Sequence, residues 1–134
     1  GKINHNVHSV YLMYYHLIMV VRYRRKVIDN PISERAKGIW EHIASGYGII
    51  LEEWNHDIDH VYVMFHAQSR TELSKFINAC KRASSRLLKK EYLKSGKSFG
   101  KKPFGVRVSA LLTAGGNLVE VIHQDIETQG GKKY

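Results

Sequence analysis

Cysteine is almost missing from this chain. Its 134 residues include one, Cys80, so no intrachain disulfide can form. A lone cysteine in a helical pattern is read as a small packing residue, and a cytosolic setting fits it. No apolar run is long enough to span a bilayer. The stretch from Tyr14 to Val21 is too short, and Arg22, Arg24 and Arg25 follow it at once. The opening residues Gly1-Lys2-Ile3-Asn4-His5 are polar and lack signal-peptide character. No internal repeat, low-complexity tract or linker divides the sequence. Residues 1–134 are therefore expected to form one domain, with 130–134 a frayed tail. Acidic residues are scarce relative to basic ones: 12 Asp and Glu against 21 Lys and Arg, a formal charge of +9. That excess on a small domain points to a polyanionic partner.

Hydrophobic residues make up 43% of the chain and charged residues 25%, a globular composition with enough apolar matter for a core. Tyr14 to Tyr23, rich in aromatic and β-branched residues, reads as a central strand. Asn30-Pro31 is a helix-start signal, after which Ile32, Ala36, Ile39, Trp40 and Ile43 recur at helical spacing. Gly46 and Gly48 end that helix. Ile49 to Asn55 reads as a second strand and His60 to Ala67 as a third. In the third, Val61, Val63 and Phe65 face one way and His60, Tyr62 and Met64 the other. Thr71 to about Lys94 is a long helix with an apolar stripe of Leu73, Phe76, Ile77, Cys80, Ala83, Leu87 and Leu88. Val106 to Thr113 is a fourth strand. Ala114-Gly115-Gly116-Asn117 is a turn, and Leu118 to about Gln129 a final short helix.

The order is β-α-β-β-α-β-α, an α+β class. Its first six elements match the ferredoxin-like β-α-β-β-α-β arrangement with a central antiparallel sheet and here an extra C-terminal helix. That fold hosts many functions.

The segment Asp59-His60-Val61-Tyr62-Val63 narrows the choice. With Tyr15-His16-Leu17-Ile18, Tyr23-Arg24-Arg25-Lys26-Val27, Ser84-Ser85-Arg86, Thr113-Ala114-Gly115-Gly116 and Ile126-Glu127-Thr128-Gln129, it resembles the small single-tyrosine HUH transposases of the insertion sequence two hundred type. The resemblance covers nearly the whole chain. It implies a prokaryotic, cytoplasmic protein acting as a homodimer on single-stranded DNA with hairpins, with no membrane partner. In that family two strand histidines and a residue of the final helix hold a divalent ion that polarises the scissile phosphate. A tyrosine on the same helix face attacks it to form a covalent protein–DNA link.

This chain departs from the pattern at two positions. His60 matches the first histidine, but Tyr62 stands where the second should be. Gln129 matches the third ligand, but Asp125 stands where the nucleophilic tyrosine should be, still on one helix face with Gln129. Three readings follow. In the first, cleavage is lost while DNA binding remains, since an aspartyl phosphodiester would hydrolyse readily. In the second, His60, Asp125 and Gln129 hold magnesium or manganese and activate water. In the third, another tyrosine, Tyr62 or Tyr134, is the nucleophile. His66, six residues beyond His60, lies roughly 20 Å along the strand and cannot complete the same site.

Arg22, Arg24, Arg25 and Lys26 are expected at the end of the first strand. Lys81, Arg82, Arg86, Lys89 and Lys90 are expected along the long helix. Such groups contact phosphates without reading sequence. Arg24, Arg25, Arg82 and Arg86 are the expected nucleic-acid contacts, with Tyr23, Tyr92, Phe99 and Phe104 as candidates for stacking on unpaired bases. The glycines of the Ala114–Asn117 turn are compatible with the dimer that the resemblance implies.

Overall fold

A computed structural model of the chain describes residues 11–119 apart from Arg70 and Phe99. Strand β1 runs Leu12–Val21 and passes into a single 3-10 turn, Arg22–Arg24. Helix α1 (Asn30–Ser45), strands β2 (Ile50–His56) and β3 (His60–Gln68), helix α2 (Leu73–Lys94) and strand β4 (Val106–Thr113) follow. The four strands form one sheet in the order β2-β3-β1-β4, and every neighbouring pair is antiparallel. This is the ferredoxin-like α+β arrangement expected from the sequence.

Local chemistry sets the element ends. The Asp29 carboxylate accepts the backbone N–H of Ile32 at 2.9 Å, an N-cap, and Pro31 occupies the first turn of α1. Ile32, Ala36, Trp40 and Ala44 are the buried stripe of that helix, one residue per turn on one face. Gly48, at φ 68°, lets the chain leave the helix for β2. Helix α2 turns Phe76, Ile77, Cys80, Ser84 and Leu88 inward. Burial pushes the Cys80 thiol pKa up, so the protonated form is favoured.

Strands β1 and β3 alternate. Tyr15, Leu17 and Met19 lie opposite Phe65, Val63 and Val61, all buried. Trp40 packs against Phe65 and Phe76 at ring-centroid distances of 5.4 and 5.1 Å. Trp54 on β2 donates its indole N–H to Ser33 Oγ at 2.9 Å, tying that strand to α1. Arg35 and Glu91 join the two helices by an ion pair at 2.8 Å. No described helix is long and apolar enough to cross a membrane.

Two expectations are corrected. The first strand ends at Val21, not Tyr23, because Tyr23 and Arg24 adopt left-handed backbone angles (φ 63° and 52°) that no strand accommodates. The final helix does not begin at Leu118. Gly116, at φ 90°, folds the chain back, so that Leu118 bridges to Leu112 and the Val119 N–H donates to the Leu111 carbonyl at 2.9 Å. The rest of that expected helix, with Asp125 and Gln129, and the tail with Tyr134 lie outside the described residues.

Trp40→Ala should destabilise the domain by about 3–5 kcal/mol, read as a lower urea midpoint. Asp29→Ala should cost about 1 kcal/mol by loss of the cap.

Candidate nucleic-acid interface

Both helices contribute their buried side chains to one core on one face of the sheet, and the other face is open among the described elements. Pleating places His60, Tyr62, Met64 and His66 of β3 there, beside Tyr14, His16 and Ile18 of β1. His60 Nδ1 lies 3.0 Å from Asp59 Oδ1, and Arg24 Nε donates to Asp59 Oδ2 at 2.7 Å. A carboxylate can only accept, so Nδ1 carries the proton in this contact and Nε2 is the outward nitrogen. The Arg24 hydrogen bond, and after it that from His60, hold the Asp59 carboxyl below its usual pKa. Arg24, expected at a phosphate, is bound to Asp59 and thereby steadies His60.

Tyr62 Oη lies 2.6 Å from His16 Nδ1, with the rings stacked at 5.8 Å and 21°. His16 was not expected in the site, although it alternates with the core residues Tyr15 and Leu17. The described half of the site that the resemblance implies thus presents one oriented imidazole and one phenol already engaged by a neighbour. A phenol must lose a proton before it ligates well, so this pair does not fit the family's two-histidine donor set. No three His, Cys, Asp or Glu side chains converge among the described residues. Further along the face, His66 Nδ1 meets Glu52 Oε2 at 2.5 Å, and its ring lies 5.1 Å from that of Tyr14. An irregularity in the β2–β3 register between Leu51 and Glu53 brings Glu52 to this position. His66 therefore has a separate environment from His60, as its spacing suggested.

The expected arginines divide. Arg82 and Arg86, one turn apart on the exposed side of α2, line a groove of about 520 Å³ with Arg22, Lys81, Ser85, Gly105, Val106 and Arg107. Five of the lining residues are cationic and none is acidic. Ser85 Oγ accepts the Val106 N–H at 2.9 Å and the Gly105 carbonyl accepts the Arg22 N–H at 2.8 Å, fixing the groove floor. A Cβ on Gly105 would come within 3.4 Å of the Arg22 side chain. Lys81, expected among the basic residues along the long helix, is buried to 5% exposure.

Arg25 has its own partners within the chain. Its guanidinium donates to the carbonyls of Pro103 and Lys102 at 2.8 and 3.0 Å and lies over the rings of Tyr23, Tyr92 and Phe104. Tyr92 and Phe104 pack on one another at 5.4 Å, so this pair belongs to a clasp holding the loop before β4. Tyr23 remains 52% exposed beside Arg22, Arg25 and Lys102. Phe99 lies outside the described residues. Arg107 was not among the expected contacts. Its outward position between the inward Val106 and Val108 was the available signal.

These features define a ferredoxin-like α+β domain with a ring-bearing sheet face beside an arginine groove. The chain belongs to the IS200-like transposases: the family model described as "Transposase IS200 like" matches residues 9–129. It is similar to the ISDra2 transposase TnpA of Deinococcus radiodurans, with 32% identity over 77 residues. That alignment covers 58% of this chain and 55% of the relative, about half of the relative's length. Its fold is similar to that of a crystal structure assigned as a transposase from Deinococcus radiodurans R1. The TM-score is 0.60, the identity 21%, and the match covers 95% of both chains.

The depressed pKa of Asp59 gives a pH prediction. Its contribution to stability is complete above the ordinary carboxyl value of 3.8 and is lost as pH falls through the lower folded value. Asp59→Asn should flatten that part of the acid limb of a stability–pH curve measured by urea denaturation.

Proposed function

We propose that this chain is a hairpin-binding member of the IS200-like transposases that has lost strand cleavage. The observation that carries this reading is the 2.6 Å contact between Tyr62 Oη and His16 Nδ1. Where the family pattern requires a second metal-ligating imidazole, this chain has a phenol turned to another ring. Asp125 at the place of the nucleophile supports the same conclusion from the sequence, since a carboxylate is a poor replacement for a phenol in forming a lasting link to DNA.

Binding needs less than cleavage. The groove of Arg22, Arg82, Arg86 and Arg107 supplies several clustered cations with no acidic residue among the lining residues. Such contacts position a phosphate backbone and give affinity that falls with salt. The substrate class is single-stranded DNA folded into a hairpin, and the acting unit is a homodimer. His60, steadied by Asp59, is retained from the family's site without its partner.

The direct test incubates the protein with a labelled single-stranded DNA hairpin and magnesium or manganese, and then denatures it. Salt-sensitive binding with no covalent adduct is expected; an adduct with the unaltered chain would refute the loss of cleavage. Restoring Tyr62→His together with Asp125→Tyr should generate an adduct, and its failure to do so would count against the positions assigned to those residues. Arg82→Ala combined with Arg86→Ala should weaken hairpin binding. The slope of log affinity against log salt should fall by about 0.7–0.9 for each phosphate that is no longer neutralised.

A further inference from the structure

We propose that Arg25 is a positioning residue of the arginine groove: it sets the spacing of Arg22, Arg86 and Arg107 and serves binding through them. This rests on the reading of the groove as the hairpin-binding surface and adds what holds its walls in register. The walls come from three segments: the end of β1 with Arg22, helix α2 with Arg82 and Arg86, and the run from Gly105 into β4 with Arg107. Residues 103–105, just before β4, belong to no helix or strand, and Pro103 has no N–H to give to a ladder. Arg25 supplies the fastening instead. Its two terminal nitrogens donate to the Pro103 and Lys102 carbonyls at 2.8 and 3.0 Å. Its guanidinium also lies 5.6 Å from the ring centre of Tyr92, in the last turn of α2, and 5.5 Å from that of Phe104.

The groove floor begins two residues beyond this anchor. The Gly105 carbonyl accepts the Arg22 N–H at 2.8 Å, and a Cβ on Gly105 would already come within 3.4 Å of the Arg22 side chain, so the segment has little room to shift. The Val106 N–H then donates to Ser85 Oγ at 2.9 Å, one residue before Arg86 on α2. Arg107 follows directly and points outward. Loosening the anchor at Lys102 and Pro103 therefore moves three cations relative to one another. Serving two carbonyls while lying on two rings requires a planar fork, which a guanidinium has and an ammonium of the same charge lacks. A phosphate contact, by contrast, tolerates lysine as a point charge. The change from arginine to lysine thus separates holding the groove from touching the DNA.

The experiment uses the full chain and a fluorescein-labelled single-stranded DNA hairpin, with anisotropy read across a salt series. Arg25→Lys and Arg25→Ala should each weaken binding about 2- to 30-fold and leave the slope of log affinity against log salt unchanged. Phe104→Ala should weaken it similarly, and adding that change to Arg25→Lys should cost little more, because both break one clasp. Thermal melts confirm that each variant is folded. Native-state amide exchange gives a readout that a general loss of stability would not: in Arg25→Lys the Arg22 and Val106 amides should exchange faster, while those of β3 keep their rates. Binding by Arg25→Lys equal to that of the unaltered chain would overturn the proposal. So would a slope lower by about 0.7–0.9 in Arg25→Ala, the mark of a direct phosphate contact, or unchanged exchange at Arg22 and Val106. If the unaltered chain fails to bind the hairpin, or Arg82→Ala with Arg86→Ala binds it as before, the groove reading itself falls and the proposal with it, even where exchange shows the clasp holding its loop.

Discussion

Phe65 lies against Trp40 and Phe76, and this contact decides which way every residue of β3 points. Side chains alternate along a strand, so moving Phe65 by one place would send Val61, Val63 and Ala67 to the other face of the sheet and draw His60, Tyr62 and His66 into the core. The three rings pack at 5.1 to 5.8 Å with steep interplanar angles, the edge-on geometry that aromatic quadrupoles favour. The neighbouring strand is held by the same packing, since Tyr15 of β1 stacks on Phe65 at 5.3 Å. The composition of the face that carries His60, Tyr62 and His66 is thus settled from the opposite side of the sheet.

A second organising point lies where β1 gives out. The Val21 N–H donates to the Asp59 carbonyl at 2.9 Å, while the Asp59 side chain binds Arg24 and contacts His60. Tyr23 and Arg24 are held between these bonds in left-handed conformations, each of which costs about 1–3 kcal/mol. The strain has a visible result: Tyr23 is turned outward between cations, and Arg22 is left to face Gly105 and the groove. One carboxylate therefore connects the end of a strand, the orientation of a histidine and the mouth of a basic channel.

Much of this was legible in the sequence because it depended on short-range periodicity. The alternation in His60–Ala67, the limits of Val106–Thr113 and the stripe of α1 all follow from spacings of two or about four residues. The contacts that the sequence did not show involve partners far apart in the chain. Arg25 meets carbonyls 77 and 78 residues away, and His16 meets a hydroxyl 46 residues away. No local pattern announces such pairings. Lys81 is the opposite case: a charged residue within a helical repeat ordinarily lies in solvent, yet this one lines the groove and is buried. The proposed departures at Tyr62 and Asp125 are legible only against the family pattern. For Tyr62 the structure adds a neighbour that the sequence did not show, a histidine on another strand.

The seclusion of Cys80 has a practical side. It is the chain's sole sulfhydryl, it is 1% exposed on the inward side of α2, and burial favours its unreactive protonated form. A maleimide or spin-label reagent would find little to modify in the folded protein. Any cysteine engineered onto the sheet face or the groove rim would then be the one accessible thiol. The fold is therefore a ready background for attaching reporters one site at a time.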